Sequence, residues 1–345
     1  QIHAPAIRVN KTMDALYAPG GPSRSLPVAL AQRMVGLCRR ILAGRMSAAL
    51  RGYKPDVECY GWIKPSFSFG VNWSNFIRSK FSDERLAIAR NDILQFLEVE
   101  DLSGKTVIDI GCGSGIHSLG VMKAGAARVF SFDYDVESVK ATKRLHDLID
   151  KPSHWTITQG SILDSNFVKG IEPADIVYSW GVLHHTGHMW EAIRSAATLM
   201  KRDGLLFIAL YTKWPASDDA LRLKIKYNRA GWFKKRVMEL SLMRQGIPGL
   251  SYLFKDFAHF KERVRAKRDL MRNYQQYRGM SFYHDIVDWL GGYPYEDATV
   301  EEVVWFCEKC CGLKAMKVVD RGGNLCSHYL FRKAAPVEPR PESTS

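Results

Sequence analysis

The chain has 345 residues, of which 46% are hydrophobic, and carries a formal net charge of +13. That composition suits one large domain with an insertion, or two modest domains, and excludes a wholly disordered chain. No stretch approaches the roughly 18 uninterrupted apolar residues of a spanning helix, so any membrane contact is expected to be lateral.

Seven cysteines, odd in number and scattered, fit a reducing compartment better than a disulfide framework. The expected location is therefore cytoplasmic, peripheral to the inner face of a membrane where one is met. The chain opens on Gln1 without a methionine, which leaves a targeting segment open. The charge is regional: +6 over 1–60, −1 over 61–210, +11 over 211–280 and −3 over 281–345.

Residues 1–26 hold Pro, Gly and Ser with little pattern. Over 28–50, Val28, Leu30, Met34, Val35, Leu37, Ile41, Leu42 and Met46 recur at near-helical spacing between arginines, which predicts a basic amphipathic helix. From residue 105, short apolar runs alternate with helical stretches: Thr106–Ile110, Arg128–Phe132, Trp155–Thr158, Asp175–Trp180 and Leu205–Tyr211. Five strands alternating with helices imply right-handed crossovers and a parallel sheet. After residue 211 a Lys/Arg-rich, mostly helical insertion runs to about 280. A helix at Val300–Cys311, a strand near Lys314–Asp320 and a last strand near Ser327–Arg332 then complete the sheet, the short Arg321–Asn324 connection suiting an antiparallel hairpin. The tail over 336–345 is polar and contains proline.

The strongest motif is VIDIGCGSGIHS at 107–118, a strand ending in Asp109 that opens through Gly111, Gly113 and Gly115 into a helix. Glycines let the backbone turn sharply beside a ligand, and the helix N-terminus offers N–H groups to a carboxylate or phosphate. The dinucleotide fingerprint G-x-G-x-x-G would place its third glycine at Ile116, so this G-x-G-x-G spacing departs from it. Asp133 ends the second strand, where an acid can accept from both hydroxyls of a ribose. Tyr134 follows it and could stack on a nucleobase.

VIDIGCGSG resembles the first motif of class I S-adenosylmethionine methyltransferases, and the later segments agree in order. The resemblance implies a doubly wound, mostly parallel, seven-stranded α/β sheet with a helical insertion after strand five. It implies S-adenosylmethionine as co-substrate without a metal, held by Asp109, Gly111, Gly113, Gly115, Asp133, Tyr134, Ser161, Ile162 and Ser179. Ser161 stands where the family often has Asp and is a weaker adenine contact. Strand four, ADIVYSWGVLHHTG at 174–187, resembles the family's acceptor-facing motif. FGVNWSNF (69–76), YSWGVLHHTGHMW (178–190) and RGMSFYHDIVDWLGGYPYE (278–296) are similar to bacterial relatives of the ubiquinone-pathway O-methyltransferases.

The expected organisation is a basic N-terminal segment (1–55), a cap (56–99), a donor-binding core (100–211), a basic helical acceptor cap (212–298), the C-terminal part of the sheet (299–335) and a tail (336–345). His185 and His184, following strand four, are candidate bases for an oxygen acceptor, with His284 as their rival, flanked by Asp285 as an orienting carboxylate. His184-x3-His188 has one-turn spacing but lacks a third metal ligand nearby, and Cys307, Cys310, Cys311 and Cys326 read as packing residues. Trp180, Trp190, Trp289, Tyr293 and Tyr295 are candidates to line an aromatic acceptor pocket. The expected reaction is O-methylation of a small acceptor (a quinol, phenol or glycosyl hydroxyl, lipid-linked or anionic), with an anionic membrane surface as a further partner. The alternatives are an RNA or ribosomal-protein methyltransferase, favoured by the basic insertion but lacking a single-strand platform or zinc module, and a non-catalytic donor-binding scaffold.

Overall fold

The computed structural model describes residues 68–245, 257–276, 281–322 and 325–333. The basic helix expected over 28–50, and both terminal segments, lie outside the described residues. Seven strands, β1 (Thr106–Ile110), β2 (Arg128–Asp133), β3 (Trp155–Gln159), β4 (Ala174–Trp180), β5 (Met200–Tyr211), β6 (Leu313–Val319) and β7 (Cys326–Lys333), form one sheet in the order β3-β2-β1-β4-β5-β7-β6. The first five are parallel, and β7 runs antiparallel to both β5 and β6. This is the expected doubly wound sheet, and its order reverses between β1 and β4, where open α/β sheets bind ligands.

Helices α1 (Phe69–Lys80) and α2 (Asp83–Leu97) precede β1, and α3 (Ile116–Lys123), α4 (Val136–Leu148), α5 (Ser165–Lys169) and α6 (Met189–Thr198) follow β1 to β4 in turn. The insertion supplies α7 (Ser217–Arg229), α8 (Trp232–Arg244), α9 (Phe257–Asn273) and α10 (Phe282–Gly291), and α11 (Val300–Cys310) leads into β6. Alternation along the strands builds two apolar layers. Ile108, Ile110, Val177 and Leu206 face α6 and α11, whereas Val107, Ile176 and Phe207 join Phe76, Ile93 and Leu119 on the other face.

β5 starts five residues before the expected Leu205. Met200 already pairs with Ala174, the register then shifts, and Asp203 takes up the irregularity at φ +60°. The insertion leaves and re-enters the sheet at one point: Lys213 N–H donates to Ala298 O (3.0 Å) and Ala298 N–H to Tyr211 O (3.3 Å). Its helices are thereby tethered at the C-terminal end of β5. At the other flank, Asp135 caps α4 through Glu137 N–H and also accepts from Ser68 Oγ (2.9 Å) and Gly70 N–H (2.8 Å) at the start of α1. Gly70 is required there, because a Cβ would fall 2.0 Å from Ser138 N.

Candidate active site

The turn after β1 is built from backbone that side chains would block. Gly111, Gly113 and Gly115 sit at φ +73°, +54° and +78°, a region that favours glycine. A Cβ on Gly111 would lie 2.4 Å from Val182, and one on Gly113 3.1 Å from the Trp73 indole nitrogen. The N-terminus of α3 begins at Gly115 with no side-chain cap, so its N–H groups and dipole face an incoming anion. Gly111 and Cys112 N–H donate to Phe132 O at 2.8 and 3.1 Å and tie the turn to the end of β2.

Asp133 stands beside this turn. Its carboxylate accepts from Gly113 N–H (3.0 Å) and Asp135 N–H (2.9 Å). Burial lifts its pKa to about 6 in spite of those bonds. Tyr134, next along, is 72% exposed, leaving its ring face open to a base. A cradle that excludes Cβ atoms, an uncapped helix N-terminus and a carboxylate at the end of β2 fit the carboxylate and ribose of S-adenosylmethionine.

Other expected donor residues turn inward. Asp109 is buried, is held by Ser118 Oγ, and has its pKa raised to about 7 by burial; it fastens α3 to β1 rather than facing a ligand. Ser179 Oγ donates to Ile110 O (3.1 Å) and is likewise a support beneath the turn. Ser161 Oγ accepts from Leu163 N–H (3.2 Å), and Ile162 is part of the core. Asp109, Ser179 and Ile162 therefore shape the site from below, because the alternation of the strands and the turn after β3 send their side chains into the protein, whereas Ser161 stays half-buried.

Beyond β4, the 3-10 turn Leu183–His185 carries the histidine pair. His184 is fully buried, neither ring nitrogen has a hydrogen-bond partner, and its ring lies 4.2 Å from that of Tyr211 at the end of β5. His185 bonds through Nδ1 to Pro294 O (2.7 Å), so Nδ1 carries the proton and Nε2 the lone pair. Phe69 of α1 packs 5.5 Å from the His185 ring. Burial and then the nearby Lys224 push His185 down to about 3, and burial followed by His185 and Lys224 holds His184 well below the usual histidine range. Burial thus favours the neutral form of both candidate bases.

His284 is placed elsewhere. Its Nδ1 pairs with Ser281 Oγ (2.9 Å), its ring meets Phe76 edge-on at 5.6 Å, and burial, then Lys80 and Arg85, lower it to about 4. Asp285 accepts from Tyr274 Oη (2.9 Å). The structure thus groups His284 with α1 and α2, not with the pair after β4. The aromatic set divides as well: Trp190 packs on Phe306, whereas Trp180, whose Nε1 donates to His328 Nε2 (3.2 Å), packs with Trp289 and Tyr295 against the cluster of Ala209, Tyr211 and Cys326; the rings of Trp289 and Tyr295 face a common centre with Tyr211.

What they surround is Lys224 of α7, which sequence reasoning passed over as one more cation in a basic insertion. It is fully buried, donates to the Trp289 carbonyl, and lies 5.2, 4.6 and 5.1 Å from the ring centres of Tyr211, Trp289 and Tyr295. Desolvation lowers its pKa to about 7, partly opposed by Cys326 and Asp288. Asn72 of α1 braces this corner, donating to Asp288 Oδ1 (2.8 Å) and His284 O (2.9 Å). Among the described residues, no group of three His, Cys, Asp or Glu side chains could hold a metal ion.

Residues 81–246, just under half of the chain, match a family model described as a methyltransferase domain. The ribosomal protein L11 methyltransferase of Aeromonas hydrophila is 50% identical over 50 residues, covering 14% of this chain and 17% of that protein. That of Aliivibrio salmonicida is 52% identical over 50 residues with the same coverage. The aligned stretch thus spans about a sixth of these relatives' length. Among solved structures, magnesium protoporphyrin IX methyltransferase from Synechocystis PCC 6803 with bound SAH is similar at 13% identity and a TM-score of 0.45, covering 77% of this chain and 95% of that one. The glycine turn, Asp133 and the turn after β4 all lie within the residues that match the methyltransferase-domain model.

Proposed function

We propose that the protein transfers a methyl group from S-adenosylmethionine to an oxygen of a small hydroxylated acceptor: a quinol, a phenol or a glycosyl hydroxyl. The supporting observation is the enclosure of Lys224 by Tyr211, Trp289 and Tyr295 at the C-terminal ends of β4 and β5. A buried amine among aromatic rings suits a ring-sized acceptor better than the face of a folded macromolecule. When bound, the donor supplies an electrophilic methyl group on a positively charged sulfur. Lys224, poised at about 7, takes the acceptor's hydroxyl proton as the oxygen–carbon bond forms. His185 offers the Nε2 lone pair to orient that hydroxyl, and the rings of Trp289 and Tyr295 exclude water from it.

A second reading, methylation of a ribosomal protein or RNA, is favoured by the likeness to the L11 methyltransferases and by the +11 charge of residues 211–280. Formation of S-adenosylhomocysteine with a small-molecule extract, against ribosomal RNA and ribosomal protein fractions, separates the readings. Turnover with the ribosomal fractions alone overturns the first. No turnover with any fraction, alongside intact donor binding, leaves a donor-binding scaffold. Once the acceptor is found, Lys224→Met is expected to lower the single-turnover rate by about 10²–10⁴-fold with donor affinity nearly unchanged. Equal rates in variant and wild type remove Lys224 from the chemical step.

A further inference from the structure

Helix α8 faces the wrong way for a helix of a water-soluble surface. Its inward side buries a carboxylate: Glu239 is 3% exposed and accepts from Tyr227 Oη (2.7 Å), Arg236 (2.7 Å) and Tyr283 Oη (3.0 Å). Two tyrosines from α7 and α10 and an arginine one turn away thus fix the rotation of α8 about its axis. With Glu239 turned in, Phe233, Val237 and Leu240, spaced four and three residues apart, form a stripe on the side turned away from it. They are 71, 51 and 57% exposed, and Trp232 at the start of the helix is 72% exposed. Single exposed apolar residues need no explanation, whereas several on one helical face mark an interaction surface.

Charge decides what meets this surface. Lys234 and Arg244 flank the stripe, and α9, joined to the end of α8 through Lys267 Nζ donating to Gln245 O (3.1 Å), carries six basic and two acidic residues. A second copy of this chain would bring like charge against like charge, since residues 211–280 sum to +11. An anionic bilayer complements both features at once: cations meet its headgroups, and Trp and Phe enter the interfacial layer. No described helix is long and apolar enough to cross a membrane, so α8 would lie in the plane of the surface.

We infer that α8, with Phe233, Val237 and Leu240 as the inserted face, the exposed Trp232 beside it at the helix start, and Lys234 and Arg244 as headgroup contacts, docks the protein on an anionic lipid surface. The inference stands apart from the identity of the methyl acceptor. Flotation of the full chain with phosphatidylcholine vesicles, with and without phosphatidylglycerol, tests it. Wild type is expected to float with the anionic vesicles only, and Phe233→Ser/Val237→Ser/Leu240→Ser to lose about tenfold or more in partitioning at about 150 mM salt. Lys234→Glu/Arg244→Glu is a second variant that keeps the apolar stripe, and it is expected to lose binding most at low salt, where attraction to the headgroups is strongest. S-adenosylhomocysteine binding by each variant reports that the donor site remains folded. Wild type that stays unbound to anionic vesicles at every salt concentration overturns the inference. So does retention of wild-type partitioning by both variants, or an RNA oligonucleotide that binds through these residues while vesicles do not.

Discussion

At Asp133, burial and hydrogen bonding pull in opposite directions: burial raises the pKa, the N–H groups of Asp135 and Gly113 lower it, and the balance falls at about 6. Ribose hydroxyls that donated to this carboxylate would favour its charged form, so a complex bound in this way would have a lower pKa than the free protein. Linkage then gives the sign: donor affinity is full above about pH 6 and falls below it, by up to about tenfold per pH unit. Calorimetric titration with S-adenosylhomocysteine at acid and neutral pH measures this, and Asp133→Asn is expected to bind more weakly and to lose the acid limb. A wild-type affinity constant across the range removes Asp133 from the ribose contact. Asp133 and the glycine turn were legible in the sequence because everything they need is local: three glycines and an acid at the ends of adjacent strands. Lys224 was not, because one lysine among the basic residues of the insertion carries no mark of its burial. Its identity as a site residue comes from Tyr211, Trp289 and Tyr295, brought in from two other parts of the chain.

Helix α1 shows the same division between local and distant causes. Its N-cap, Ser68, precedes the helix as local rules expect, but the helix is held in place by Asp135, 67 residues away. The one carboxylate caps α4, receives the first turn of α1, and so sets where Trp73 and Phe69 stand over the glycine turn and His185. Asp135→Ala therefore leaves several donors unmatched and is expected to cost about 1–3 kcal/mol in stability. Denaturant unfolding reads that loss, and donor titration is expected to weaken along with it, since α1 covers the turn. Unchanged donor affinity in a destabilised variant would confine Asp135 to scaffolding. The strands, by contrast, were readable almost to their ends because β-branched runs and two-residue alternation are local signals. The early start of β5 escaped notice because it depends on Ala174 pairing across the sheet and on a left-handed Asp203.

Over the whole molecule, folding encloses a lysine amine that the unfolded chain leaves in water. The amine has a pKa of about 7 in the fold against the ordinary 10.5, so between those values the unfolded chain binds more protons at this position. Stability contributed by Lys224 is therefore complete above about pH 10.5 and declines as pH falls toward 7, by up to about 5 kcal/mol in all. Such an arrangement gives up stability near neutrality, and one reason to keep it is an amine that exchanges a proton at working pH. Lys224→Met fills the ring cage with an uncharged chain of similar length. It is expected to be more stable than wild type near pH 7, with the difference shrinking as pH is raised toward 10. Denaturant midpoints of the two proteins, measured side by side from pH 7 to 10 without donor, test this. Parallel curves would mean that Lys224 holds its ordinary pKa in the fold, and would withdraw both the stability argument and its place as the proton acceptor.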